Sequence, residues 1–221
     1  MAWADYWGGL SRPAIEAIVE AAGVGAGTRL LDVGCGSGEL CALAAGRGAS
    51  VAGIDADAAM IELARRRVPG ADLRVGRLEL LPWDDGAFDL VIGVNAFQFA
   101  ADMVAALAEA GRVTRPGGLV AVCNWSARRE VFDVTGPPAP NPLREPGGIE
   151  GLARRAGLRP GEAREVDVPF VAPDEETLVR AFAADDREIS AEAAERHRRP
   201  DGSYRFENTF RYVLAEVSSR R

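Results

Sequence analysis

The stretch RLLDVGCGSGEL, residues 29–40, sets glycines at every second position, Gly34, Gly36 and Gly38, directly behind an apolar run. Glycine serves where the backbone must take a positive φ, or where another group must come close with no Cβ in the way. Residues 29–33 read as a buried strand and 38–46 as a helix, so the glycines lie in a strand-to-helix loop. In an open α/β sheet such a loop stands at the carboxyl end of the strand, where ligands bind, with helix N–H groups available for polar ligand atoms. The pattern is D-x-G-x-G-x-G with Asp32 on the strand, whereas a dinucleotide fingerprint needs G-x-G-x-x-G, and Glu39 stands where its third glycine would fall. That spacing suits a nucleotide-like ligand without a pyrophosphate to seat on the helix.

Working outward, the elements alternate. SVAGID (50–55) reads as a second strand, Asp57 caps a helix to about Arg67, DLRVG (72–76) is a third strand and FDLVIGV (88–94) a fourth. Asp102 caps the helix DMVAALAEAGRV, RPGG (115–118) breaks it, and LVAVCNW (119–125) is a fifth strand. Short continuous apolar runs suit strands covered on both faces, and their alternation with helices implies a parallel, doubly wound sheet with right-handed crossovers. Upstream, Ser11 and Pro13 open a helix with Ile15, Ile18 and Val19 on one face. Downstream, Pro137, Pro138, Pro140, Pro142 and Pro146 make 128–148 a loop or lid. A short helix to Ala156, a strand EVDVPFV (165–171), a helix from Asp174 and a polar helical stretch 188–199 follow. The last strand, in DGSYRFENTFRYVLAE (201–216), is expected to carry Tyr204, Phe206, Phe210, Tyr212 and Leu214 on one face.

Asp55 ends the second strand, and in this topology a carboxylate there faces the sugar of whatever the glycine loop holds. Its oxygens can accept both hydrogens of a 2′,3′-diol.

Composition narrows the partners. The 221 residues carry a formal charge of −7, so the surface as a whole repels phosphate backbones and anionic lipid, and neither nucleic acid nor membrane is expected. No apolar run approaches the ~20 residues of a membrane helix, and MAWADYWGG lacks the basic and apolar regions of a signal peptide, so the expected location is cytoplasmic. Cys35, Cys41 and Cys123 form no CxxC pair, which argues for buried thiols and against a metal or disulfide framework. There is no lysine, which excludes Schiff-base chemistry, and His197, among arginines, reads as a solvated surface residue.

Four segments in order, LLDVGCGSG, GIDADAAMIELAR, VGRLELLPWDDGAFDLVIGVNAFQF and AGRVTRPGGLVAVCNW, resemble the class I S-adenosylmethionine-dependent methyltransferases. The likeness is to the small-molecule branch that contains quinone-biosynthesis enzymes. It implies a single-domain α/β fold, doubly wound and Rossmann-like, with helices on both faces of a mostly parallel seven-stranded sheet whose last strand is antiparallel. Residues 1–27 would form a helical lid, 28–126 the cofactor-binding core, and 127–221 the substrate-side lid and last two strands.

The resemblance further implies S-adenosyl-L-methionine as cofactor, its methionine part in the loop of Asp32, Gly34, Cys35, Gly36 and Gly38, and its ribose on Asp55. Ala56 and Met60 would pack on the adenine, the Leu78 amide would read its ring, and Asn95 would approach the methionine amino group. Where the family pattern reads Gly-Asp-Ala, this chain has Gly76-Arg77-Leu78. Arginine has no acceptor, so Glu79 or a backbone carbonyl is expected to take the adenine amino group. Tyr6 and Trp7 would close over the cofactor.

The expected activity is methyl transfer to oxygen, nitrogen or carbon of a small molecule, mainly by positioning, with no residue singled out as a base and no metal. Phe97, Gln98, Phe99, Trp125, Phe132 and Tyr204 are the candidate acceptor pocket, since aromatics interleaved with amides suit a small, partly apolar acceptor. Two rival readings are a nucleoside-binding regulator or scaffold without catalysis, and a nicotinamide oxidoreductase. A monomer or homodimer is expected.

Overall fold

The computed structural model describes residues 9–133, 141–184 and 186–218, without the side chains at 127, 132 and 133. Helix α1 (Arg12–Ala21) starts behind Ser11 with Pro13 in its first turn, where a missing N–H costs nothing, and buries Ala14, Ile15, Ile18 and Val19. There follow β1 (Arg29–Val33), α2 (Glu39–Gly46), β2 (Ser50–Asp55), α3 (Ala58–Arg67), β3 (Asp72–Val75), β4 (Phe88–Val94), α4 (Met103–Val113) and β5 (Thr114–Arg129). Both expected aspartate caps form: the Asp57 carboxylate accepts from the Ala59 amide, and Asp102 accepts from the Val104 and Ala105 amides.

The remaining elements are α5 (Glu130–Asp133), α6 (Gly148–Arg155), β6 (Leu158–Pro160), β7 (Arg164–Asp167), β8 (Phe170–Ala172), α7 (Glu175–Ala183), α8 (Ala191–Glu195), β9 (Tyr204–Phe206) and β10 (Asn208–Val217). The main sheet runs β3-β2-β1-β4-β5-β10, parallel as far as β5 and antiparallel at β10. This is the doubly wound α/β architecture with its last strand reversed. Apolar side chains fill both faces. Ile18, Cys41 and Ile61 of α1, α2 and α3 join the cluster on one face, and Leu107 of α4 and Leu152 of α6 the cluster on the other. Each fully buried leucine or isoleucine there stabilises the fold by about 1.5–3 kcal/mol.

Three expectations change. The sheet has eight strands, because β6 and β7 share one edge: β6 pairs with Ala215–Val217 and β7 with Thr209–Tyr212 of β10. Residues 165–171 are not one strand, since Pro169 cannot donate to a ladder, and β8 turns away to pair with β9 in a separate two-stranded sheet. The single C-terminal strand is likewise divided. The fully buried Asn208, first residue of β10, donates from Nδ2 to the Phe206 carbonyl of β9 (3.1 Å) and accepts at Oδ1 from the Val131 amide of α5 (3.1 Å), so one amide side chain ties the ends of both strands to that helix.

The polar stretch 188–199 holds only the short α8. His197 is not a solvated surface residue: its side chain is 15% exposed, stacks on Phe206 with ring centroids 4.1 Å apart and faces Glu130 at 3.5 Å. Its aromatic face, useful for burial, outweighs the charged neighbours in sequence. Among the described residues, no helix is long and apolar enough to cross a membrane.

Asp89 on β4 ties three strands together at the amino end of the sheet. Its carboxylate accepts from the Arg29 amide (2.9 Å) and Nη2 (3.0 Å) at the start of β1, and from Arg115 Nε (2.7 Å) on β5. The bonds from Arg29, followed by those from Arg115, hold the carboxyl well below the usual carboxylate range. The folded value lies below the unfolded one, so the stabilisation is present above about pH 4 and is lost as the pH falls further. Asp89→Asn should cost about 1 kcal/mol at pH 7 in urea denaturation, given the half-exposed arginines, and the gap to wild type should hold down to about pH 4 and narrow progressively as the pH falls further.

Candidate active site

A cavity of about 1050 Å³ lies across the carboxyl ends of the central strands, where ligands of doubly wound sheets bind. The glycine loop forms its floor, and the structure answers separately for each glycine. At Gly34 (φ +70°) an added Cβ would fall 2.5 Å from Ala96 Cβ. At Gly38 (φ +86°) it would fall 3.0 Å from Ala64 Cβ of α3. At Gly36 (φ +51°) nothing lies within 4 Å, and this residue lines the cavity. At the outer two glycines the space of the missing Cβ is filled by the protein's own packing, although Gly34 also lines the cavity, and only at Gly36 is that space open. Gly38 does not line the cavity, contrary to expectation, because it is the N-cap of α2 pressed against α3.

The loop is fastened to the end of β2. The Gly34 and Cys35 amides both donate to the Ile54 carbonyl (2.8 and 3.0 Å). Asp55 Oδ2 accepts from the Gly36 amide and Oδ1 from the Asp57 amide, each at 2.9 Å. Each oxygen keeps a second lone pair for a ligand hydroxyl. From α3, Arg67 donates to the Ser37 carbonyl (2.7 Å) and pairs with Glu39, which holds the start of α2.

Asp32 lines the cavity at 3% exposure. Burial pushes its carboxyl up to about 7, against the lowering effect of the Cys41 thiol, which donates to Oδ2 at 3.4 Å. Asn95, after β4, has φ +54°, an uncommon value for a residue with a side chain. Its amide donates to the Cys123 carbonyl (2.9 Å), and its carbonyl accepts from Gln98 Nε2 (3.1 Å). Its side-chain Oδ1 is buried and has no hydrogen-bond partner among the described residues, though Asn95 lines the cavity. A buried orphan acceptor is costly, and one beside a cavity calls for a donor from a ligand.

Ala56, Met60 and Leu78 line the cavity, as does Glu79. Glu79 Oε1 accepts from the Ala101 amide (2.6 Å) and its other oxygen faces Arg77 Nε at 3.5 Å, so much of this carboxylate is spent on tying two loops together. Hydrogen bonds from its own amide and from those of Ala101 and Asp102 hold its carboxyl below the ordinary range.

On the acceptor side Gln98, Phe99 and Trp125 line the cavity, with Phe99 82% exposed at its rim. Phe97 and Tyr204 do not. Phe97 is 1% exposed and covers Gly93, whose added Cβ would lie 2.5 Å from its ring, while Tyr204 is 4% exposed on β9. Both aromatic rings meet the core's demand for buried area. Trp7 and Tyr6, the side chain of Phe132, and Pro137, Pro138 and Pro140 of the expected lid lie outside the described residues. Leu10, Ser11, Ile15, Asn141, Arg144 and Arg187 also line the cavity and were not anticipated. They come from distant segments and carry no local motif. Among the described residues no cluster of His, Cys, Asp or Glu could hold a metal ion.

Residues 31–122 match the family model described as a methyltransferase domain. The chain is 38% identical over 94 residues to the malonyl-[acyl-carrier protein] O-methyltransferase of Serratia marcescens, covering 42% of this chain and 37% of that protein. It is 37% identical over 109 residues to the demethylmenaquinone methyltransferase of Tropheryma whipplei, covering 48% and 46%. The chain thus spans less than half the length of these relatives. A solved structure of a SAM-dependent methyltransferase from Aquifex aeolicus superposes with a TM-score of 0.64 at 17% identity, covering 96% of this chain and 93% of that one. The chain shares the doubly wound fold of that solved structure, and the stretch that matches the methyltransferase-domain family, residues 31–122, contains the glycine loop, Asp55 and Asn95.

Two measurements probe this geometry. Gly34→Ala should cost about 1–3 kcal/mol more in urea denaturation than Gly36→Ala, because only the former overpacks a neighbour. For Asp32, the folded carboxyl titrates near 7 against 3.8 for the free group, so the folded state holds the extra proton between those values. Stability of the ligand-free protein should therefore fall as the pH rises from about 4 to about 7, then level off, and Asp32→Asn should remove this component. The difference between the two proteins in denaturation midpoint at pH 5 and pH 8 reads it directly.

Proposed function

We propose that this chain is an S-adenosyl-L-methionine-dependent methyltransferase acting on a small-molecule acceptor. The observation that carries the reading is the arrangement around the open face of Gly36: a carboxylate at Asp55 with a lone pair left on each oxygen, and a buried acid and an orphan acceptor at Asp32 and Asn95. These groups fit the donor. Asp55 takes the ribose hydroxyls on its remaining lone pairs. Asn95 Oδ1 and Asp32 receive the α-ammonium, whose positive charge draws the Asp32 proton away. Met60, Ala56 and Leu78 provide apolar walls for the adenine, whose edge meets backbone rather than Arg77.

Bound there, S-adenosylmethionine supplies a methyl group already activated on a sulfonium, which passes to an acceptor lone pair while the carbon–sulfur pair returns to sulfur. The chain's contribution is to hold the acceptor in line and to exclude water. Positioning of this kind supplies roughly 7–11 kcal/mol. The acceptor wall contains Gln98, Phe99, Trp125, Asn141, Arg144 and Arg187, so the described lining offers no histidine or carboxylate there as a base. An acceptor that arrives with an available lone pair needs none. The same lack also suits the rival reading, a nucleoside-binding regulator, and transfer of labelled methyl to any compound of a metabolite extract excludes that rival.

Asp55→Ala should weaken binding of S-adenosylhomocysteine by about 2–4 kcal/mol in titration calorimetry, the scale of two charge-assisted hydrogen bonds. An unchanged dissociation constant removes Asp55 from the ribose and with it the basis of this reading.

A further inference from the structure

Gln98 stands three residues after Asn95, in a 3₁₀ turn (Phe97–Phe99) that follows β4. Residues three apart eclipse one another in such a turn. The Gln98 side chain therefore folds back over the start of the turn, where Nε2 donates to the Asn95 carbonyl at 3.1 Å. On its other side Asn95 is bound through its amide to the Cys123 carbonyl (2.9 Å). With both flanking peptide groups engaged, φ is held at +54° and the direction of the side chain follows from it. The buried Oδ1 is then left without a partner in a residue that lines the cavity.

The far end of Gln98 is fastened from another part of the chain. Its Oε1 accepts from Asn141 Nδ2 at 2.9 Å, across 43 residues of sequence, with Arg144 Nη2 at 3.4 Å from the same oxygen. Asn141 Oδ1 in turn accepts from the Leu143 amide (2.9 Å) and caps the short turn Pro142–Arg144. The polarity of this relay is fixed at both ends, because a backbone amide can only donate and a backbone carbonyl can only accept. The Leu143 amide draws the Asn141 oxygen and leaves its nitrogen for Gln98. That nitrogen draws the Gln98 oxygen and leaves Nε2 for the Asn95 carbonyl. Reversing either side-chain amide would set like groups face to face.

We propose that Gln98 is a positioning residue for cofactor recognition: oriented by Asn141, it holds Asn95 in the left-handed conformation that presents Oδ1 to the α-ammonium group of S-adenosylmethionine. The inference rests on the methyltransferase reading, since that reading brings the ammonium to Asn95. It makes the segment 141–143 a part of how the amino-acid end of the donor is bound. The nucleoside end is independent of the relay, because Asp55, Ala56, Met60 and Leu78 all follow β2 or β3.

The test compares S-adenosylhomocysteine with methylthioadenosine, which has the same nucleoside and no α-ammonium, in titration calorimetry. Gln98→Met, uncharged and similar in shape, should weaken binding of S-adenosylhomocysteine about tenfold, the scale of one hydrogen bond to a charged group, and leave methylthioadenosine within about twofold. Asn141→Ser keeps an oxygen for the Leu143 amide but has no donor for Gln98, and should give the same selective loss in smaller measure. Circular dichroism melts verify folding, and should Gln98→Met not fold, Asn141→Ser carries the test. Unchanged binding of S-adenosylhomocysteine, or an equal loss for both ligands such as a purely structural role would give, overturns the proposal. Wild-type protein that binds neither ligand removes the methyltransferase reading and this inference with it. Wild-type protein that binds both, with no selective loss in the variants, removes this inference alone.

Discussion

The end of β2 holds the loop that follows β1. One carbonyl, Ile54, accepts two successive loop amides, and one carboxylate, Asp55, accepts the amide of Gly36 on one oxygen and that of Asp57 on the other. Without these bonds four backbone donors at the mouth of the cavity would need other partners, and the loop would have no fixed height above the sheet. The parallel register of β1 on β2 places the two strand ends level, since Val33 lies opposite Ile54. The positive φ values at Gly34, Gly36 and Gly38 follow from the path that this clamp imposes. Asp55 therefore braces the loop while each of its oxygens keeps a lone pair towards the cavity it lines.

A second constraint is placed opposite. Asn95 is held in the left-handed region by its amide bond to Cys123 and its carbonyl bond to Gln98. The backbone is satisfied and the side chain is left with a buried, unpaired oxygen. A buried acceptor without a partner is unfavourable until a donor reaches it. Asp32 is similar: burial makes its charged form unfavourable until a cation pairs with it.

The side of the cavity that follows β1 and β2 was legible in the sequence because its signals are local. Asp32, Gly34, Cys35 and Gly36 occupy one loop, Asp55 and Ala56 one strand end, and each was placed at the cavity. Gly38 was misread because a glycine required by a neighbouring helix looks the same in sequence as one required by a ligand. Phe97 and Tyr204 were misread for a related reason: an aromatic residue signals a need for burial but does not say against what. The division of the C-terminal strand was hidden because Asn208 reads as an ordinary polar residue, yet its amide satisfies backbone groups 77 residues away and 2 residues away at once.

By itself the sequence determined the alternation of strands and helices, the capping aspartates and the glycine loop at the end of β1. These depend on hydrophobic period, side-chain oxygens and glycine spacing within a few residues. Only the tertiary structure decided which glycine has open space where a Cβ would stand, which aromatics line the pocket, and that Arg144 and Arg187 line it too. Such facts arise from contacts between segments far apart in the chain. Their energies come from burial and from like and opposite charges brought close, neither of which exists until the sheet has assembled.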